Sequence, residues 1–142
     1  MTGAFLYAMA GGVCSEEDYP YHAKDEDCKI CHHAVVRPRN YEEIEAEDGY
    51  ALKQAVSKAP VSVAVEADKP VFQHYKSGVV DDDSCGASLN HGVLAVGYTE
   101  DYWIVKNSWG EKWGEDGYVR IKYVENGPGI CAINTNAYYP LL

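Results

Sequence analysis

Two residues of this chain are suited by type and spacing to act together in catalysis, His91 and Asn107, with Trp109 two positions beyond the asparagine. An asparagine carbonyl that accepts the N–H of one imidazole nitrogen fixes the tautomer and the ring plane. The second ring nitrogen is then left to face a nucleophile. A carboxamide in the orienting role suits a thiol better than a hydroxyl, because a thiolate–imidazolium pair already carries its proton on histidine. A lone strand histidine and a lone turn asparagine are more often structural, so the elements that place them carry the argument.

Those elements read as a hairpin. From His91 to Tyr98 and from Tyr102 to Asn107 the residues are rich in Val, Ile, Tyr and Trp, with Thr99, Glu100 and Asp101 as the loop. A three-residue loop centred on Glu100 places Asn107 opposite Val93. His91 and Val93 share a face, so His91 and Asn107 become diagonal neighbours, roughly 7–8 Å apart at the backbone. The same pairing brings Trp109 beside the histidine, where an indole shields the bond from water.

The wording around both residues is distinctive. NSWG followed by WGEDGY, and LNHGVLAVGY around the histidine, resemble the active-site asparagine and histidine blocks of the papain family of cysteine peptidases. Tyr19-Pro20-Tyr21, Pro60-Val61-Ser62-Val63 with Glu66, Cys85-Gly86, Cys131 and Tyr139-Pro140 follow in family order. The resemblance implies His91 and Asn107 as catalytic residues, with Trp109 and Trp113 as active-site support. It places Met1, Ala64, Asn90 and Asn136 around the pocket for the second residue before the scissile bond. With Met and Ala on the walls, an apolar side chain is expected there, and Asn136 at the base tolerates some polarity. In this family the nucleophilic cysteine lies about 130–150 residues before the histidine and asparagine. No CGSCW-like segment is present, so the chain reads as the C-terminal two-thirds of a mature peptidase domain, without its nucleophile.

The resemblance also assigns cysteines, of which there are five. Cys85 and Cys131 match a family disulfide, and Cys28 matches a cysteine whose partner lies upstream of Met1. Cys14 and Cys31 depart from the simplest family pattern, and an extra disulfide between them is expected. Cys28-x-x-Cys31 followed by His32 and His33 has the outline of a zinc or haem motif, but a second closely spaced ligand pair is missing. No metal or other cofactor is expected. Cys14 lies beside Ser15, Glu16, Glu17 and Asp18, acidic and hydroxyl neighbours that oppose a reactive thiolate, and it reads as structural rather than as a nucleophile.

At 142 residues and 46% apolar content the chain is long enough for one ordinary core. A net charge of −10 disfavours nucleic acid and anionic membrane surfaces as partners. The first residues, Gly3 to Ala10, read as the end of a buried helix whose apolar face has lost its neighbours, with Thr2 as N-cap and Gly11-Gly12 as stop. Ser15 to Arg39 reads as an irregular disulfide-pinned segment. A short amphipathic helix follows within Asp48 to Ala59, then a strand from Val61 to Glu66, a helical turn from Pro70 to Tyr75 and a strand from Gly117 to Val124.

The expected fold is α+β and papain-like. Residues 1–42 are the remnant of a helical left domain, and residues 43–142 form a right domain rich in antiparallel β-structure, its tail returning to the left domain. Exposed apolar surface is expected around Phe5, Leu6 and Tyr139. The functional expectation is a cysteine-type endopeptidase acting on peptides or proteins, lysosomal, vacuolar or extracellular by resemblance. Protein inhibitors and a missing N-terminal segment or propeptide are the expected partners, and the isolated chain is expected to be inactive. The alternative is a non-catalytic homologue that binds peptides or inhibitors.

Overall fold

The structure is a computed structural model that describes residues 1–142. Two compact units are distinguished, one of Met1–Glu42 with Pro140–Leu142 and one of Glu43–Tyr139. No helix is long and apolar enough to cross a membrane.

In the first unit, α1 spans Thr2–Gly11. Its N-cap is Met1, and no side chain caps it, which corrects the reading of Thr2 as the cap. The helix begins one residue earlier than its apolar spacing suggested, so Thr2 is already inside it. Gly12, at φ 76°, ends the helix and donates its N–H to the Ala8 carbonyl. Only Ala8 of the helix is buried. Leu6 is 55% exposed, while Phe5 is half-buried and stacks on Tyr41 at 5.5 Å. Beyond the helix the backbone is irregular, tied by a Cys14–Cys31 disulfide and by a bridge between Val13 and Val36.

The second unit is built on a sheet. α2 spans Gly49–Val56 and starts at Asp48, whose carboxylate accepts the Ala51 N–H at 2.8 Å; Leu52, Ala55 and Val56 are buried. β2 (Val61–Val65) buries every second residue, because Val61, Val63 and Val65 face the core while Ser62 and Ala64 face away. α3 (Pro70–Gln73) is one turn with proline in its first position. β4 (His91–Tyr98), β5 (Tyr102–Lys106) and β6 (Tyr118–Lys122) continue the sheet, with Trp103, Val105, Val119 and Ile121 fully buried. Three strands lie beyond the sequence expectation: β1 (Asn40–Glu43), β3 (Val79–Val80) and β7 (Ala137–Leu141). The strand order is β1-β7-β2-β4-β5-β6-β3, and the β3–β6 pairing is parallel. Tyr139, expected to be exposed, packs against the core of this unit.

The hairpin reaches the expected register by a different route. Tyr98 pairs with Trp103, one residue out of step with a three-residue loop, and a bulge between Ala95 and Gly97 restores the step. Ala95 then faces Val105, and Leu94 faces Lys106. Two offsets of opposite sense cancel before the sheet reaches His91.

Candidate active site

β4 begins at His91, which is held from its other side by pairing with Val65 of β2. Asn107 follows the last residue of β5, and its backbone N–H donates to the Gly117 carbonyl. The strand ends therefore bring the two side chains together. His91 Nε2 lies 2.8 Å from Asn107 Oδ1. The same oxygen accepts the Ser108 N–H at 2.8 Å, which identifies it as the carbonyl end of the amide. Nε2 is accordingly the donor, and Nδ1 is the ring nitrogen left free for a reacting partner. Asn107 is 8% exposed, and its Nδ2 is buried without a hydrogen-bond partner. Turning the amide over would sacrifice both bonds to Oδ1, so the unsatisfied donor is the lesser penalty.

Aromatic rings enclose the pair. Trp109 stacks on the imidazole with ring centres 5.0 Å apart and planes inclined by 28°. Trp113 meets Trp109 edge-on at 5.3 Å and donates its indole N–H to the Gln73 carbonyl. Phe72, fully buried on α3, packs edge-on against His91 at 6.4 Å and against Trp109 at 5.5 Å. It escaped the sequence reading, although a proline at the start of a single helical turn with a phenylalanine two residues on was the available signal. Trp109 remains 40% exposed and His91 half-buried.

The loop that carries both tryptophans is fixed by geometry. Gly114 has φ +59°, and a Cβ there would lie 2.5 Å from the Tyr118 carbonyl oxygen. Below it, Glu115 receives two bonds from the Arg120 guanidinium and one from the Gly78 N–H. The Arg120 contacts hold the Glu115 carboxyl below the usual carboxylate range and raise the guanidinium further above its own.

A second anchored carboxylate precedes the histidine. Glu66, 3% exposed, accepts the Ser88 N–H and pairs with Lys69 at 3.0 Å. Those bonds lower its pKa, the Ser88 contact most. Gly86, at φ +81°, leaves room for that carboxylate where any Cβ would collide with it. The neighbouring Cys85 is bonded to Cys131.

The remaining candidates divide. Ala64 pairs with Gly92, and its N–H donates to the Asn136 carbonyl at 3.0 Å, so the Ala64 and Asn136 backbones adjoin. Asn90 turns its side-chain oxygen to the Ala67 N–H at 2.8 Å. Met1 belongs to the other unit, where it precedes α1 with its side chain exposed. Cys28 carries a free thiol and is exposed.

The family whose description is "Papain family cysteine protease" matches residues 1–141. The chain belongs to the papain family. It is 45% identical over 149 residues to the cysteine proteinase COT44 of Brassica napus, covering 99% of this chain and 45% of that protein. Among solved structures it resembles the bromelain protease of Ananas comosus in complex with the E64 inhibitor, with a TM-score of 0.89 and 40% identity, covering 98% of this chain and 67% of that one. It also resembles the ragweed pollen allergen Amb a 11 in its proform, with a TM-score of 0.90 and 34% identity over 98% of this chain and 44% of that one. The chain spans about half the length of the curated relatives it matches or less, 32–45% of each.

Proposed function

We propose that this chain supplies the base, the orienting amide and the aromatic shield of a papain-type cysteine endopeptidase, with the thiol contributed from outside residues 1–142. The observation that carries the reading is the bond from His91 Nε2 to Asn107 Oδ1, locked by the Ser108 N–H. With Nε2 committed, Nδ1 takes up the proton of a cysteine thiol. The thiolate attacks the peptide carbonyl, His91 returns the proton to the leaving amine, and then activates the water that releases the acyl group. Trp109 lies against the imidazole and keeps water from the bond to Asn107. Histidine and asparagine thus occupy the catalytic roles, and Trp109 and Trp113 act as positioning residues.

Ala64, Asn90 and Asn136, all of the second unit, are assigned to the pocket for the second residue before the scissile bond. The Cys28 thiol is not assigned the nucleophile's role, and the other four cysteines are bonded in pairs. The substrates are peptides or proteins. E64-like inhibitors and a propeptide are the proposed partners, following the solved relatives that carry them. The proposed location is a vacuole, a lysosome or the exterior. An acidic chain of net charge −10 sheds part of its negative charge in an acidic compartment.

The test compares the 142-residue chain with the same chain extended by a CGSCW-bearing segment, using a peptide amide substrate. Hydrolysis is expected only in the extended form. His91→Ala is expected to lower its kcat by roughly 10²–10⁴-fold. Hydrolysis by the unextended chain that survives His91→Ala would overturn the assignment.

A further inference from the structure

The chain reaches His91 through a segment, Gly86 to Asn90, that no core holds. Ala87, Ser88, Leu89 and Asn90 are all exposed, and the segment lies outside helix and strand between Cys85 and β4. Packing therefore does not fix its path, and polar bonds to the end of β2 do. The Asn90 N–H donates to the Val65 carbonyl at 3.1 Å, and the Asn90 side-chain oxygen accepts the Ala67 N–H at 2.8 Å. Between Val65 and Ala67 stands Glu66, whose carboxylate accepts the Ser88 N–H. Of these three acceptors only the carboxylate is charged, and a bond to an ionised acceptor is roughly twice as strong as a neutral one.

We propose that Glu66 is a positioning residue for His91, acting through the Ser88 N–H to hold the segment that delivers the histidine to β4. The proposal rests on the peptidase reading for its consequence in catalysis. A carboxylate only 3% exposed is unfavourable unless paired and hydrogen-bonded, and an apolar side chain of similar size would fill the same space without that penalty. The chain instead accommodates the charge. Lys69 Nζ lies 3.0 Å from Glu66 Oε1, and Gly86, at φ +81°, omits the Cβ that would collide with both carboxylate oxygens. The Glu66 backbone is fixed as well, because its N–H donates to the Cys131 carbonyl at 3.0 Å and Cys131 is bonded to Cys85. One end of the segment is thus tied by a disulfide, its middle by the carboxylate and its far end by Asn90. Without the middle tie the approach to β4 is free to shift, and the 2.8 Å bond from His91 to Asn107 tolerates little displacement.

The test measures amide hydrogen exchange and the His91 tautomer by NMR in the 142-residue chain. Glu66→Leu is expected to speed exchange at Ser88 and Asn90 roughly tenfold and to add Nδ1–H tautomer at His91. Val63 and Val105, in the sheet interior, are expected to exchange no faster, since an apolar replacement of a buried ion pair is often neutral or stabilising. Glu66→Gln keeps a neutral acceptor for Ser88 and is expected to give smaller changes of the same sign; it carries the test if Glu66→Leu does not fold. Exchange that rises equally at Ser88, Val63 and Val105 would mean a loss of stability alone and would overturn the proposal. An unmoved His91 tautomer in both variants would overturn it too. In the thiol-extended chain, Glu66→Leu is expected to lower kcat on a peptide amide roughly tenfold with KM little changed. If that chain hydrolyses peptides with equal kcat in wild type and Glu66→Leu, the positioning proposal fails alone. If it hydrolyses nothing while the exchange and tautomer changes occur, the peptidase reading fails alone.

Discussion

Residues 43–139 and residues 1–42 are stabilised differently. In the longer unit the alternation Val61, Val63, Val65 is answered by Val93, Ala95, Trp103, Val105, Val119 and Ile121, all buried in one cluster. In the shorter unit only Ala8, Gly12 and Pro38 are buried, while Leu6, Tyr7, Ile30 and Val35 stay exposed. A helix with most of its apolar side chains in water gains little from packing, and most helical stability in proteins comes from tertiary burial. Order in that unit therefore rests on the Cys14–Cys31 link and on local backbone bonds. His91, Asn107 and their aromatic neighbours all belong to the densely packed unit. A hydrogen bond that must fix one imidazole tautomer needs such a setting, because strand ends and ring contacts restrict both partners.

The sharpest way to break this contrast is truncation on each side of it. Trp103→Ala is expected to lower unfolding free energy by about 3–5 kcal/mol, whereas Leu6→Ala, at an exposed site, should stay within about 0.5 kcal/mol. Urea denaturation followed by far-UV circular dichroism measures both. Equal losses would mean that the first unit holds a core of its own.

Removing disulfides sharpens it next. Cys85→Ser with Cys131→Ser is expected to cost about 2–5 kcal/mol of global stability, because the bridge ties the loop before β4 to the turn before β7. Cys14→Ser with Cys31→Ser should leave the unfolding of residues 43–139 in place and instead speed proteolysis between residues 13 and 39. Limited digestion with mass-spectrometric mapping reads the difference, and a global loss from the second pair would contradict it.

A smaller effect comes from pH. Glu115 is held below its ordinary pKa chiefly by Arg120, so its contribution is complete above the unfolded value of about 4.3 and disappears as pH falls through the lower folded value. Wild type should melt higher than Glu115→Gln at pH 6, and the gap should close as the pH drops below about 4. A gap that widens in acid would reverse the assigned sign.

Much of the second unit was legible because its strands alternate and its helix is punctuated by Asp48 and Pro60. The short strands β1, β3 and β7 were not, since Asn40–Glu43 is polar, Val79–Val80 is two residues long, and Ala137–Leu141 ends in a proline segment. Pairing with neighbours, rather than local pattern, makes them strands. The His91–Asn107 approach was readable from strand periodicity, although the bulge between Ala95 and Gly97 was invisible and happened to cancel an error at the loop. The place of Phe72 beside His91 and Trp109 depends on contacts between residues distant in sequence. No local window contains them.

The claim on which the catalytic proposal depends is that the Asn107 carbonyl holds His91 as its Nε2–H tautomer. Long-range ¹H–¹⁵N correlation spectra of the neutral imidazole measure this directly in the 142-residue chain. A protonated Nε2 and an unprotonated Nδ1 are expected in the native chain, with a mixture of the two tautomers in Asn107→Ala. A native His91 carrying its proton on Nδ1, or a tautomer indifferent to Asn107→Ala, would contradict it.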